Sequence, residues 1–217
     1  MGTKKSVRAN IELTLVALDN LLSRDSANPL SSIKAVEKTT RMEISSELTG
    51  FLSDPQLIQK IVNVGHKFAL NENIVEQVLW TLGQISSRIF WAMRLSDSTF
   101  EADTQEIYDF FLKYINSKNP KIKFAVASGI IRLPEFSQYP QKWEYVISIP
   151  NITPKKRSII IFRRFVAENI ADIPRDFKRP IYRALRDYID KTVLDDTTKN
   201  LFEDTLVQLG HSDKSES

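Results

Sequence analysis

The chemistry this sequence can offer is concentrated in its cations. Between Pro154 and Lys191 stand eleven basic residues: Lys155, Lys156, Arg157, Arg163, Arg164, Arg175, Lys178, Arg179, Arg183, Arg186 and Lys191. Against them are only Glu168, Asp172, Asp176, Asp187 and Asp190, so this segment carries +6 in a chain whose net charge is +3. Arginine outnumbers lysine there, a bias that suits specific pairing, because a planar guanidinium meets a carboxylate or a phosphate through two parallel hydrogen bonds. If a helix after Pro174 runs on through Pro180, then Arg175, Arg179, Arg183 and Arg186 fall within about 80° of arc, opposite Phe177, Ile181, Leu185 and Tyr188. If Pro180 instead opens the helix, only Arg183 and Arg186 keep that alignment. Such a row reads either as the solvated side of an amphipathic helix or as a docking face for an acidic protein or a nucleic-acid backbone.

A second group lies in Glu72 to Leu95. Trp80, Gln84, Arg88 and Trp91 share one flank of a helical wheel, roughly a third of a turn from an apolar stripe of Ile74, Val78, Leu82, Ile85, Ile89 and Met93. Two indoles interleaved with an amide and a guanidinium make a contact surface, or fill space between neighbouring helices. Catalysis has little raw material. There is no cysteine, which removes disulfides, thiolate metal sites and cysteine nucleophiles. The two histidines, His66 and His211, leave almost nothing for a metal site or a Ser/His/Asp triad. A lone histidine such as His66 in an amphipathic helix reads as structural or exposed. The glycines are isolated, so no phosphate-cradling loop is present. Neither a cofactor nor a metal is expected, and the reading is non-enzymatic.

The elements that must position these groups are helices. The sequence lacks Asn-Gly and Asp-Gly hairpin signals and is poor in glycine, which argues against strands. Apolar periodicity predicts helices over Val7 to Arg24, Pro29 to Leu52, Pro55 to Leu70, Glu72 to Leu95, Asp103 to Ser117 and Lys121 to Leu133. It continues with a short helix over Gln141 to Ile149, a turn over Pro150 to Pro154, then Lys155 to Ile173, Arg175 to Lys191 and Thr197 to Leu209. Inner helices start near Glu72, Pro120, Pro154 and Asp196, at intervals of 48, 34 and 42 residues, which scatter around the length of two-helix repeats. No stretch has the length and apolarity of a signal peptide core before Glu12 or of a membrane span anywhere, so the expectation is a soluble cytoplasmic protein.

Residues 72–86, with Trp80 and the amide of Gln84 four residues later, resemble the last helix of an armadillo repeat, and the remainder is equally compatible with the related HEAT repeats. The resemblance implies a short right-handed α-solenoid of HEAT/armadillo-like helix pairs in a single all-α domain. Residues 1–53 would be capping helices, 54–210 the repeats and 211–217 a disordered tail. Armadillo repeats use the equivalent Trp to stack on basic stems of an extended peptide and an Asn to hold its backbone. Here the corresponding positions of the next pair are Ser128 and Arg132, so the ladder that reads basic peptides in import receptors is not repeated. The expected function is non-catalytic binding of another protein with an acidic surface, as adaptor or inhibitor. Trp80, Gln84, Arg88, Trp91, Lys155, Lys156, Arg157, Arg164, Arg175, Arg179, Arg183 and Arg186 are the expected interface. The alternative is a nucleic-acid-binding protein resembling HEAT-like DNA glycosylases, using the basic 154–191 helices.

Overall fold

The computed structural model describes residues 7–23, 28–42, 46–95, 104–152 and 156–212. Val7, Ser46, Glu47, Thr49, residues 91–95 and residues 211–212 are described in backbone only. Among the described residues the regular structure is entirely helical. The chain divides into two compact units, Met1–Gln138 and Tyr139–Ser217.

The first unit contains α1 (Val7–Ser23), α2 (Pro29–Thr40), α3 (Ser46–Leu52), α4 (Pro55–Lys67), α5 (Glu72–Leu95), α6 (Gln105–Tyr114) and α7 (Pro120–Ile130). Three of these helices start in the same way. Asn28, Asp54 and Asn119 each precede a proline, and each side chain accepts a hydrogen bond from a backbone N–H one or two residues past that proline. The side-chain oxygen satisfies an N–H that the helix leaves unbonded, and the proline has no N–H to waste. Asn119 does more, since its amide also donates to Glu72 Oε2 at 2.8 Å and so ties the starts of α5 and α7 together.

The packing runs along two sets of helices. α1 packs on α4 and α4 on α6; α2 packs on α5 and α5 on α7; within pairs, α1 meets α2, α4 meets α5 and α6 meets α7. The sequence stripe of α5 becomes core as expected: Ile74, Val78, Leu82, Ile85 and Ile89 are buried, with Val75 and Leu79 beside them. A helix buried on this many sides needs small residues where neighbours cross. A Cβ on Gly83 would lie 3.5 Å from Gly129 Cα, so α5 and α7 approach nearly backbone to backbone, with the Phe111 ring of α6 filling the space at Gly129. Gly65 of α4 makes the same room for Phe110, whose ring lies tilted against Tyr114, 5.2 Å between centroids.

The second unit contains α8 (Lys142–Ile152), α9 (Lys156–Glu168), α10 (Arg175–Lys191) and α11 (Asp196–Ser212), with a 3-10 turn over Ile170–Asp172. Here α8 packs on α9 and α10, and α11 on α9 and α10. The core comes from the apolar faces of all four helices. Trp143 lies against Phe165 at 5.9 Å and Tyr188 against Phe202 at 5.2 Å, with Val146, Phe162, Ile181, Leu185 and Leu206 buried around them. α10 is continuous through Pro180, which settles the alternative left open by the sequence. Ile181 and Leu185, both fully buried, hold the helix to the core on the far side of the proline.

Candidate interaction surfaces

In the first unit the flank of α5 that carries Trp80, Gln84 and Arg88 is the side the core leaves partly uncovered. All three are half-buried. α2 and α7 both pack on α5, and groups near this flank reach to each of them. Trp80 meets the Phe124 ring of α7 edge to face, at 5.4 Å and 68°. On the other side Gln77 donates to Glu37 Oε2 of α2 at 2.7 Å, and Glu37 also receives Arg41 one turn on. Arg88 Nη2 donates to the Met42 carbonyl just past α2, at 3.2 Å. Arg88 is thereby fixed as a tie between α5 and the end of α2, with one nitrogen committed to the fold. The Trp91 side chain lies outside the described residues.

In the second unit the basic residues divide by what they touch. Lys156 Nζ reaches Asp195 Oδ2 at 3.2 Å, Arg164 Nε reaches Glu168 Oε1 at 2.9 Å, and Arg186 Nε reaches Asp190 Oδ1 at 3.5 Å. Asp195 is also the start of α11, accepting from the Thr198 N–H at 2.9 Å and its hydroxyl at 2.8 Å. Those two Thr198 donors, and then Lys156, hold the Asp195 carboxyl well below the usual carboxylate range. Arg157, Arg175, Arg179 and Arg183 are exposed and have no ion-pair or hydrogen-bond partner among the described residues. Lys155 lies outside them.

Two basic residues that sequence reasoning did not set apart turn out to be structural. Arg163 Nη1 lies 3.4 Å from both the Leu201 carbonyl and Thr205 Oγ1 of α11, with its guanidinium over the Phe202 ring. Burial there, with the Arg164 charge beside it, lowers its pKa from the ordinary arginine value. Lys178 is only 6% exposed, on the inward side of α10. Sequence reasoning also passed over Tyr182, 40% exposed, which by helical spacing falls next to the arginine row. The signal was available, because Tyr182 sits outside the apolar stripe of Ile181, Leu185 and Tyr188.

His66 is exposed at the end of α4, edge-on to Phe110 at 5.3 Å, with Lys113 Nζ 3.2 Å from Nε2. Desolvation against the ring and then the Lys113 charge lower its pKa. Among the described residues no group of three His, Asp or Glu side chains could hold a metal ion, and no helix is long and apolar enough to cross a membrane.

The chain matches no protein-family model, and no curated protein matches its sequence.

Proposed function

We propose that the protein is a non-catalytic binding module, a short right-handed α-solenoid of HEAT/armadillo-like helix pairs that engages another protein as an adaptor or inhibitor. The observation that carries the reading is the flank of α5: Trp80 and Gln84 keep part of their surface uncovered on a helix whose other sides are core. Exposing an indole on a deeply packed helix forfeits burial that the same residue would gain one position away, so the position suits a contact surface. Neighbour-to-neighbour packing, α2 on α5 and α5 on α7, supports the repeat architecture.

The test is comparative capture from native lysate under mild cross-linking, using the wild-type chain and a Trp80→Ala/Gln84→Ala variant with matched far-UV circular dichroism. Partners retained by wild type and lost by at least about tenfold in the variant support the reading, since central aromatic anchors carry contributions of that size. An identical set of partners in both samples refutes it. Duplex DNA is measured in parallel across a salt series. Steep salt-dependent binding unaffected by the α5 variant would assign the protein to nucleic acid instead.

A further inference from the structure

Outside the α5 flank, the outward face of α10 combines features that no internal contact explains. Arg175, Arg179 and Arg183 are exposed and, among the described residues, unpaired, while Tyr182 stands beside them with 40% of its surface open. The carboxylates nearest the row are mostly occupied: Asp187 takes Lys191 at 3.1 Å and Asp190 takes Arg186 at 3.5 Å. The helix is continuous from Arg175 to Lys191, so at about 1.5 Å per residue the row extends over roughly 16 Å as far as Arg186. We propose that this face of α10 is a docking site for an acidic helical segment of a partner protein, with Arg175, Arg179 and Arg183 pairing to carboxylates and Tyr182 packing against the segment's apolar side.

Two observations select a protein helix over a phosphate backbone. Asp176, Asp187 and Asp190 flank the row, and a continuous line of phosphates would meet all three, whereas a protein segment can place neutral or basic side chains opposite them. The exposed tyrosine among arginines is the composition of protein interfaces, where Tyr and Arg anchor contacts. A helical partner also has the same rise per residue. Glutamates at steps of four, four and three residues therefore stay in register with Arg175, Arg179, Arg183 and Arg186 along the whole row.

The inference rests on the non-catalytic binding reading but uses a different surface, so the two can fail separately. The probe is a fluorescently labelled, alanine-rich peptide with glutamates at those steps, titrated against the full chain by anisotropy at low ionic strength. A permuted peptide of equal charge spreads its glutamates around the helix, and duplex DNA is run alongside. The expected result is binding of the matched peptide and about tenfold or greater weakening by Arg175→Glu/Arg179→Glu/Arg183→Glu, the combined size of three exposed ion pairs. The matching Arg→Lys triple falls between, because ammonium groups keep charge and lose bidentate geometry. Trp80→Ala/Gln84→Ala leaves this binding unchanged. If the glutamate triple lowers helicity, Arg179→Glu alone replaces it, with a proportionally smaller loss. Failure of wild type to bind, equal affinity for the permuted peptide, or tighter binding of duplex through the same arginines overturns the proposal.

Discussion

Gly83 and Gly129 face each other where α5 crosses α7, and replacing each by alanine should move stability in opposite directions. Alanine in a helix interior is favoured over glycine by about 1 kcal/mol, because glycine loses more backbone freedom on folding. At Gly83 the added methyl would find its nearest neighbour, Gly129 Cα, at 3.5 Å and the Phe111 Cζ at 3.9 Å, both ordinary contacts. Gly83→Ala should therefore stabilise by up to about 1 kcal/mol. At Gly129 the methyl would collide with Phe111 Cζ and lie 2.8 Å from Cε1 and 3.0 Å from Cε2. Phe111 is fully buried and has little freedom to retreat, so overpacking of about 1–3 kcal/mol outweighs the helix gain. The net expectation is a loss of about 1 kcal/mol, which separates the two variants by roughly 2 kcal/mol, or about 5 °C in Tm for a chain of this size. Thermal and urea unfolding followed by far-UV circular dichroism, with the urea slope checked for constancy, measures the difference. A Gly129→Ala protein at or above wild-type Tm would refute the reasoning, and so would a Gly83→Ala protein that falls as far.

Two further outcomes follow from single side chains in the second unit. The Asp195 pKa is lower in the folded state than in the unfolded chain, so its contribution is complete above the ordinary aspartate value near ~4 and is lost as pH falls toward the folded value. Asp195→Asn, which still caps α11 but cannot titrate, should show a shallower decline of Tm on acidification below about pH 4, and an unchanged acid limb would remove Asp195 from the account. Tyr188 carries a buried hydroxyl with no hydrogen-bond partner among the described residues. Tyr188→Phe keeps the ring on Phe202 and removes the desolvated oxygen, so a rise in stability of about 1 kcal/mol in urea titration is expected.

How far the sequence could be read depends on which signals were local. α5 has the predicted span, Glu72–Leu95, because its apolar period is unbroken and Asn71 stands just before it, its side chain accepting from the Ile74 N–H at 3.3 Å. The Asp54-Pro55 start is equally legible, being local capping chemistry, whereas Asn119-Pro120 reads as a turn into Lys121 and the structure makes Asn119 the cap of a helix that opens at Pro120. Pro29 to Leu52 read as one helix, yet α2 ends at Thr40 and α3 begins at Ser46, with no glycine or proline between them to announce the break. Pro150 read as the start of a turn, but α8 continues to Ile152; so close to the helix end, the proline deprives only the Val146 carbonyl of a donor. The basic segment was visible as composition, and Arg164–Glu168 and Arg186–Asp190 stand at the i,i+4 spacing a sequence displays, whereas the commitment of Lys156 to Asp195 and of Arg163 to α11 was not visible. Asp195, in particular, lies 39 residues from Lys156, beyond any periodic pattern. By helical spacing Arg88 falls on the flank of Trp80 and Gln84, and only the approach of α2 reveals its bond to the Met42 carbonyl.

Pro180 has a consequence for how α10 could respond to load. Lacking an N–H, it leaves the Asp176 carbonyl without its usual rung, so the turn bearing Arg175 and Arg179 is joined to the turn bearing Arg183 and Arg186 by a weakened ladder. The four guanidiniums are thus carried on two short combs with a soft joint between them. Amide exchange in the leading turn should outpace that of the turns after Ile181, and a ligand whose charges are spaced imperfectly can be met by flexing that joint instead of breaking a contact.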